Sequence, residues 1–255
     1  MMENKKIVEW LKSYSVSSGV GKFVVGISGG IDSALTSTLC AETGIPTIVV
    51  SMPIHQPTAE LNRAHNHIKW LEKKYSNVIK MEVNLSHVFE SFEMLFADSP
   101  NKLALANSRA RLRMTTLYQI AQTNGGLVVG TGNKIEDFGV GFFTKYGDGG
   151  VDISPIGDLM KSEVREMAKN FGVIEEILIA APTDGLWDDG RCDEDQLGAT
   201  YDELEQAMLI TREEFNKYDS WSDREKEVWG IFNKLNDQNK HKMRPIPVYK
   251  KINNI

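Results

Sequence analysis

The segment Phe23-Val24-Val25-Gly26-Ile27-Ser28-Gly29-Gly30-Ile31-Asp32-Ser33-Ala34 constrains this chain more than any other. An apolar run enters a glycine-serine turn and leaves it as a helix, which reads as a strand–turn–helix unit. Such a turn gathers backbone N–H groups at one point, and the positive end of the helix dipole faces that point. Gly29 and Gly30 let the main chain approach an anion, and Ser28 and Ser33 add hydroxyl donors. Asp32 repels a phosphate unless a cation lies between them, so the segment predicts a nucleotide phosphate with Mg²⁺. No lysine follows the glycines, which argues against a Walker loop. Gly26 to Gly30 does not supply a Gly-x-Gly-x-x-Gly dinucleotide fingerprint either.

The rest of the chain predicts the frame for this turn. Ile7, Trp10, Leu11 and Tyr14 line one side of a first helix. Strands are expected at Phe23 to Ile27, Thr47 to Met52, Val78 to Val83 and Leu127 to Gly130. Helices are expected at Asp32 to Thr43, Thr58 (as a cap) to Tyr75, Ser86 to Ala97 and Leu103 to Thr123. The alternation implies an α/β fold with a doubly wound parallel sheet flanked by helices. Ligands of such sheets bind at the carboxyl ends of the strands, so the loops after Ile27, Met52 and Val129 should share one crevice. Phe138 to Ile156 is too long and too rich in Gly and Asp for an ordinary connection and reads as a functional loop. Lys161 to Phe171 returns to helix, Pro182 to Asp195 is acidic and irregular, and polar helices follow at Tyr201 to Leu209, Arg212 to Tyr218 and Arg224 to Leu235 before a basic tail. We expect a single domain over 1–255, with a nucleotide-binding core at about 20–180 and a helical part at about 181–255.

The formal net charge of -6 argues against a general nucleic-acid binder. Two distant cysteines, Cys40 and Cys192, give no disulfide framework and no Cys-rich metal site, which fits a reducing, cytoplasmic setting. No apolar run approaches the roughly 20 residues of a membrane span.

Three segments narrow the chemistry. The Ser28-Gly29-Gly30-x-Asp32-Ser33 turn resembles the pyrophosphate loop (PP-loop) of enzymes that cleave ATP to AMP and pyrophosphate. Gly130-Thr131-Gly132-Asn133-Lys134-Ile135-Glu136 follows a strand end, where Glu136 could face the same cation as Asp32. Phe142-Phe143-Thr144-Lys145-Tyr146-Gly147-Asp148-Gly149-Gly150-Val151-Asp152 suits a loop that grips a polar ligand with aromatic parts. In this order, with Lys161, Ala181-Pro182-Thr183, the Asp193-Glu194-Asp195 to Gly198 run and His241-Lys242, the chain resembles the ammonia-dependent NAD synthetases from about Val24 to Lys242.

That resemblance implies a Rossmann-like, adenine nucleotide alpha hydrolase-like fold and a set of roles. Gly26, Ile27, Ser28, Gly29, Gly30, Ile31, Asp32 and Ser33, with Thr131, Lys161 and Thr183, match positions that bind ATP. Asp32 and Glu136 match Mg²⁺ ligands, and Asp32 and Lys161 are the expected catalytic pair. Arg111, Lys145, Asp152, His241 and Lys242 match positions that bind deamido-NAD⁺. Asp148 or Asp152 is a candidate base for ammonium. On their helix Arg109 and Arg113 share a face and Arg111 points nearly opposite, so the three cannot form one site. Two departures stand out. Glu136 to Phe142 is one residue longer than in many bacterial relatives, so Phe138 receives no role, and Asp188 to Cys192 departs from the usual Glu-Gly-Gln-Thr pattern. Cys192 reads as incidental.

The implied reaction is adenylation of the nicotinate carboxylate of deamido-NAD⁺ by ATP, then amidation by ammonia to give NAD⁺, AMP and pyrophosphate. The chain ahead of Phe23 is too short for an amidase domain, which predicts free ammonia rather than glutamine as the nitrogen source. A homodimer is expected from the resemblance, with no nucleic-acid or membrane partner. The alternatives are another PP-loop enzyme, such as a tRNA-modifying ligase, and a non-catalytic nucleotide sensor. Net acidity and the lack of a Cys-x-x-Cys weigh against the first, and the presence of Asp32, Glu136 and Lys161 weighs against the second.

Overall fold

A computed structural model describes residues 2–183 and 192–251. Helix α1 (Met2–Ser18) precedes strand β1 (Lys22–Gly26), whose three central residues Phe23, Val24 and Val25 are fully buried. Helix α2 (Ile31–Glu42), β2 (Thr47–Ser51), α3 (Thr58–Lys74) and β3 (Val78–Glu82) follow in strict alternation. Helices α4 (Ser86–Met94) and α5 (Lys102–Asn124) then lead to the short β4 (Gly126–Val128). The sheet has four strands in the order β3-β2-β1-β4 among the described residues, and all pairs are parallel. This is the expected doubly wound arrangement, and it places β1 centrally. From β1 the chain winds outward to β2 and β3, then crosses back to β4. The topological switch point therefore lies between the carboxyl ends of β1 and β4.

The period of two along β1 separates two apolar layers. Phe23, Val25 and Ile27 pack with Leu35 and Leu39 of α2 and Leu71 of α3 on one side. Val24 packs with Phe89 of α4 and Leu105 and Ile120 of α5 on the other. A third cluster holds the carboxyl-terminal part. Here α8 (Asp193–Leu197), α9 (Tyr201–Leu209) and α11 (Asp223–Met243) enclose a π-helical turn, Ile135–Val140. Between them in sequence lie α6 (Lys161–Phe171), the short α7 (Glu175–Leu178) and α10 (Arg212–Phe215).

The predicted elements are present with small shifts at their ends. Thr58 is the first residue of α3 rather than its cap, which is Pro57 in extended backbone. Arg212 to Tyr218 stops as a helix at Phe215, with a separate 3₁₀ turn at Tyr218–Ser220. The last helix is longer than predicted, because Asn233, Asn236 and Asn239 lower intrinsic propensity without breaking it. His241 and Lys242 thus belong to its last turn rather than to a tail, where positive charge favours the helix dipole. The segment Asp188 to Arg191 lies outside the described residues.

Candidate active site

The turn after β1 is built to leave N–H groups available. Gly30 is the N-cap of α2 in extended backbone, and no side chain caps this helix. The first N–H groups of α2 therefore have no partner within the helix. Ser28 and Ser33 fold the turn on itself. Their hydroxyls lie 3.1 Å apart, Ser28 Oγ accepts from Gly30 N at 3.2 Å, and Ser33 Oγ donates to Gly30 O at 3.0 Å. Gly29 sits at φ +89°, and a Cβ there would meet Glu60 O of α3 at 2.6 Å. Only glycine allows α3 to approach the turn this closely.

This turn forms one wall of a cavity of about 510 Å³. Met52 after β2 and Gly130, Thr131 and Gly132 after β4 form others, so the three strand-end loops share one crevice, as predicted. Gly26 to Ser33, Thr131, Glu136, Lys161, Thr183 and Lys242 all line it. Thr183 donates to Glu60 Oε1 at 3.1 Å.

A charged cluster lies beside the turn. Lys161 Nζ, only 2 % exposed, donates to Asp32 Oδ2 at 2.6 Å and to Glu136 Oε1 at 2.9 Å. Burial pulls the ammonium down, but Asp32 and Glu136 more than offset this and hold it above its usual value. Two further residues fix the carboxylates. The fully buried Asn133 donates to Asp32 Oδ1 at 3.0 Å and accepts from Ile135 N and Glu136 N at 3.1 Å each. The fully buried Tyr201 donates from its hydroxyl to Glu136 Oε1 at 2.6 Å, and its ring lies 4.6 Å from Lys161 Nζ. Burial, then the neighbouring Glu136, pushes the phenol up, so it stays a donor. Ser162 donates its N–H and hydroxyl to Glu205, which anchors the start of α6 and with it Lys161.

More acid faces the same space. Asp137 packs against Gly132, and burial, then Glu136, Asp148 and Asp32, pushes its carboxyl up to about 8. Asp148 lines the cavity with exposed surface, and desolvation by the surrounding groups, partly opposed by hydrogen bonds from the Thr144 backbone and its own, raises its carboxyl as well. Arg113 of α5 is the facing cation. It donates to Met52 O at 3.1 Å and to Gln56 Oε1 at 3.3 Å. Burial, then Arg109, lowers it to about 10.

The chain matches the NAD synthase family model over residues 3–246. It is 42% identical over 204 residues to an NH(3)-dependent NAD(+) synthetase of Mesoplasma florum, covering 78% of this chain and 80% of the relative. It is 38% identical over 213 residues to another from Carboxydothermus hydrogenoformans, covering 81% and 84%. The chain belongs to the NAD synthase family. Among solved structures it is similar to the NMN synthetase of Francisella tularensis, at 30% identity and TM-score 0.86 with 98% of each chain covered. The NH3-dependent NAD synthetase of Campylobacter jejuni shares the fold at 23% identity and TM-score 0.79, also with 98% of each chain covered.

Within this family frame, the residues matched to ATP and cation binding converge on one cavity, whereas those matched to deamido-NAD⁺ divide. Lys242 lines the cavity; Arg111, Lys145, Asp152 and His241 do not. Arg111 donates to Lys145 O, and Lys145 Nζ donates to His241 O at 2.8 Å. Asp152 accepts from Tyr118 and from Val128 N at 2.8 Å, which ties the loop to β4. Arg113 and Tyr201 went unassigned from sequence. The i, i+4 face of Arg109 and Arg113 was the available signal for the first, while Arg109 itself packs over Phe89. Nothing local marks Tyr201, which meets Glu136 only in three dimensions. The segment after Glu136 winds as a π-helical turn, which takes up one residue more per turn than an α-helix.

Proposed function

We propose that this chain amidates the nicotinate carboxylate of deamido-NAD⁺ with free ammonia at the expense of ATP, giving NAD⁺, AMP and pyrophosphate. The observation that carries this reading is the uncapped start of α2 opening beside the Asp32–Lys161–Glu136 cluster in one cavity. Enzymes of this family use ATP as co-substrate. The turn from Gly26 to Ser33 takes the phosphates on its free N–H groups, with Thr131 and Thr183 as further contacts. Asp32 and Glu136 already converge on a single cation, and hard carboxylate oxygens at that spacing fit Mg²⁺. When bound, that ion neutralises phosphate charge and orients the pyrophosphate leaving group. Lys161, released from part of its pairing, turns its ammonium to the same charge.

The nicotinate carboxylate attacks the α-phosphorus in line, the bond to the bridging oxygen breaks, and pyrophosphate leaves. Ammonia then attacks the adenylate carbonyl, and AMP departs with the former carboxylate oxygen. The chain's part is to hold reactants in line and stabilise charge as it develops. Asp148, a cavity-lining carboxyl that is raised, is our candidate for the base that takes the proton ammonium must lose. The similarity to NH(3)-dependent NAD(+) synthetases supports ammonia as nitrogen source.

The likeness to an NMN synthetase favours a second acceptor, nicotinate mononucleotide, for the same chemistry. Pyrophosphate release from ATP and ammonium, measured with each acceptor in turn, decides between them. We expect turnover with deamido-NAD⁺ and none with glutamine. Release only with the mononucleotide would transfer the assignment, and release with neither would refute the reading.

A homodimer is the assembly we propose. Phe92, Met94, Leu95, Phe96 and Leu103 expose large apolar surface along α4 and the start of α5. A monomeric mass by light scattering at micromolar concentration would count against it. The two cysteines are free, as suits the cytoplasm, and among the described residues no helix is long and apolar enough to cross a membrane.

A further inference from the structure

Glu136 enters the cavity from the π-helical turn, and a helical turn leaves its last carbonyls without partners along its own axis. In this chain those carbonyls are met from outside. Asn236 Nδ2 donates to Gly139 O at 2.7 Å, and Asn239 Nδ2 donates to Val140 O at 3.0 Å. Lys242 Nζ donates to Gly141 O and to Phe143 O at 2.9 Å each. The three donors recur every third residue of α11, so successive turns of that helix follow the outgoing chain. The approach is close. Gly141 sits at φ +66°, and a Cβ there would strike the Asn239 side chain.

Apolar packing alone would hold α11 in place, since Val228 and Phe232 are buried against the third cluster. Packing of that kind is non-directional and does not select a carbonyl path. Half-buried amides aimed at consecutive carbonyls do select one. Upstream of these carbonyls is Glu136. Downstream are Phe142, Phe143 and Asp148, which line the cavity.

We infer that Asn236 and Asn239 are positioning residues for the acceptor: their amides fix the backbone at Gly139 and Val140, ahead of the Gly141 and Phe143 carbonyls that Lys242 holds, and so set the wall against which the nicotinate nucleotide binds. The inference rests on the reading that this cavity receives the acceptor. It assigns a function to the carboxyl-terminal helix beyond its core contacts.

The test uses the full chain with Asn236→Ala, Asn239→Ala and the double substitution. KM for ATP and KM for the acceptor are measured separately, with whichever of the two acceptors the unmodified chain turns over. Amide hydrogen exchange is followed in the peptide covering 138–149. Loss of two hydrogen bonds to the backbone should raise the acceptor KM about tenfold in the double variant and leave the ATP KM within about twofold. Exchange over 138–149 should accelerate while the melting temperature stays within a few degrees. An unchanged acceptor KM, or equal losses on both substrates with unchanged exchange, would overturn the inference. If the double variant does not fold, Asn236→Ala carries the same comparison, since the one loop carbonyl its amide reaches is Gly139 O, its other contact being Met243 Sδ on α11 itself. Absence of turnover in the unmodified chain condemns the functional reading, and the exchange data still decide the positioning role.

Discussion

The two ends of the cavity are made in opposite ways. At the phosphate end, Asp32, Glu136 and Lys161 are held by side chains that are themselves fully buried, Asn133 and Tyr201, and by the first turns of α2 and α6. On the side we propose for the acceptor, Lys242 lines the cavity, and Arg111 and Lys145 lie outside its lining. All three spend their charge on main-chain carbonyls, Arg111 and Lys242 on those of the loop and Lys145 on that of His241 in α11. Charges bound to each other in a dry cluster are costly to separate, whereas cations resting on carbonyls lose little when a ligand offers an anion. On the proposed function, the first arrangement suits the part of ATP that does not vary, and the second keeps cations in reserve for the acceptor.

Removing Lys161 should expose the difference most sharply. Lys161→Met leaves two carboxylates facing each other in a dry site, and breaking such a pairing costs about 3–5 kcal/mol. Pyrophosphate release should fall by about a thousandfold, as when one preorganised charge-stabilising group is lost. Added Mg²⁺ should raise the melting temperature of this variant more than that of the unmodified chain, because the carboxylates regain a cation. Equal shifts in the two proteins would mean that Asp32 and Glu136 do not form a cation site.

The rigidity of the phosphate end extends behind the turn. His67 of α3 is fully buried against α2, 3.0 Å from Ser37 Oγ and stacked on Trp70. Burial lowers its pKa to about 4, so it folds as the neutral form. An unfolded histidine titrates near 6.5 and takes up a proton that the folded one refuses. The stability it supports is therefore present above about pH 6.5 and lost as pH falls toward 4. A shift of that size is worth roughly 3 kcal/mol across the window. Denaturant unfolding of His67→Phe should show a correspondingly flatter pH dependence than the unmodified chain between pH 4 and 6.5. Parallel curves would show that α2 and α3 are not held by a neutral imidazole.

Within the turn, Gly29 and Gly30 should differ. Gly29→Ala forces a left-handed residue and a clash with Glu60 O, at a cost of about 1–3 kcal/mol. Gly30→Ala meets only Ser28 Oγ at 3.4 Å, in ordinary extended backbone, and should cost less than about 1 kcal/mol. Chemical denaturation of the two variants reads the difference directly.

How much of this was legible in the sequence follows the same division. The turn at Gly26 to Ser33 and the alternation of strands and helices needed only local pattern, because a continuous apolar run before two glycines has few other solutions. Lys161 opens α6, where a helix start disfavours a cation, and the structure answers this with the Asp32 and Glu136 carboxylates. What the pattern could not carry was contact between distant segments. Tyr201 meets Glu136 across 65 positions, and Asn239 meets Val140 across 99. Neither leaves a periodic trace. Asp152, matched to the acceptor by resemblance, accepts from the Tyr118 hydroxyl and Val128 N, contacts that no local pattern marks.

The smallest effect on stability should come from Arg111, and it is the most discriminating at the acceptor end. Its guanidinium makes two long bonds of 3.3 Å to Lys145 O and is exposed, so Arg111→Ala should change the unfolding free energy by less than about 0.5 kcal/mol. If Arg111 releases that carbonyl to meet an acceptor phosphate, the acceptor KM should still rise, by about tenfold, because a charge-assisted hydrogen bond is worth more than the one given up. Arg113→Ala gives the reference, since Arg113 already lines the cavity and braces Met52 and Gln56. Its loss should disturb stability and acceptor binding together. Should Arg111→Ala leave both unchanged, the acceptor's anion is met by Arg113 alone. The acceptor end would then be as preformed as the phosphate end.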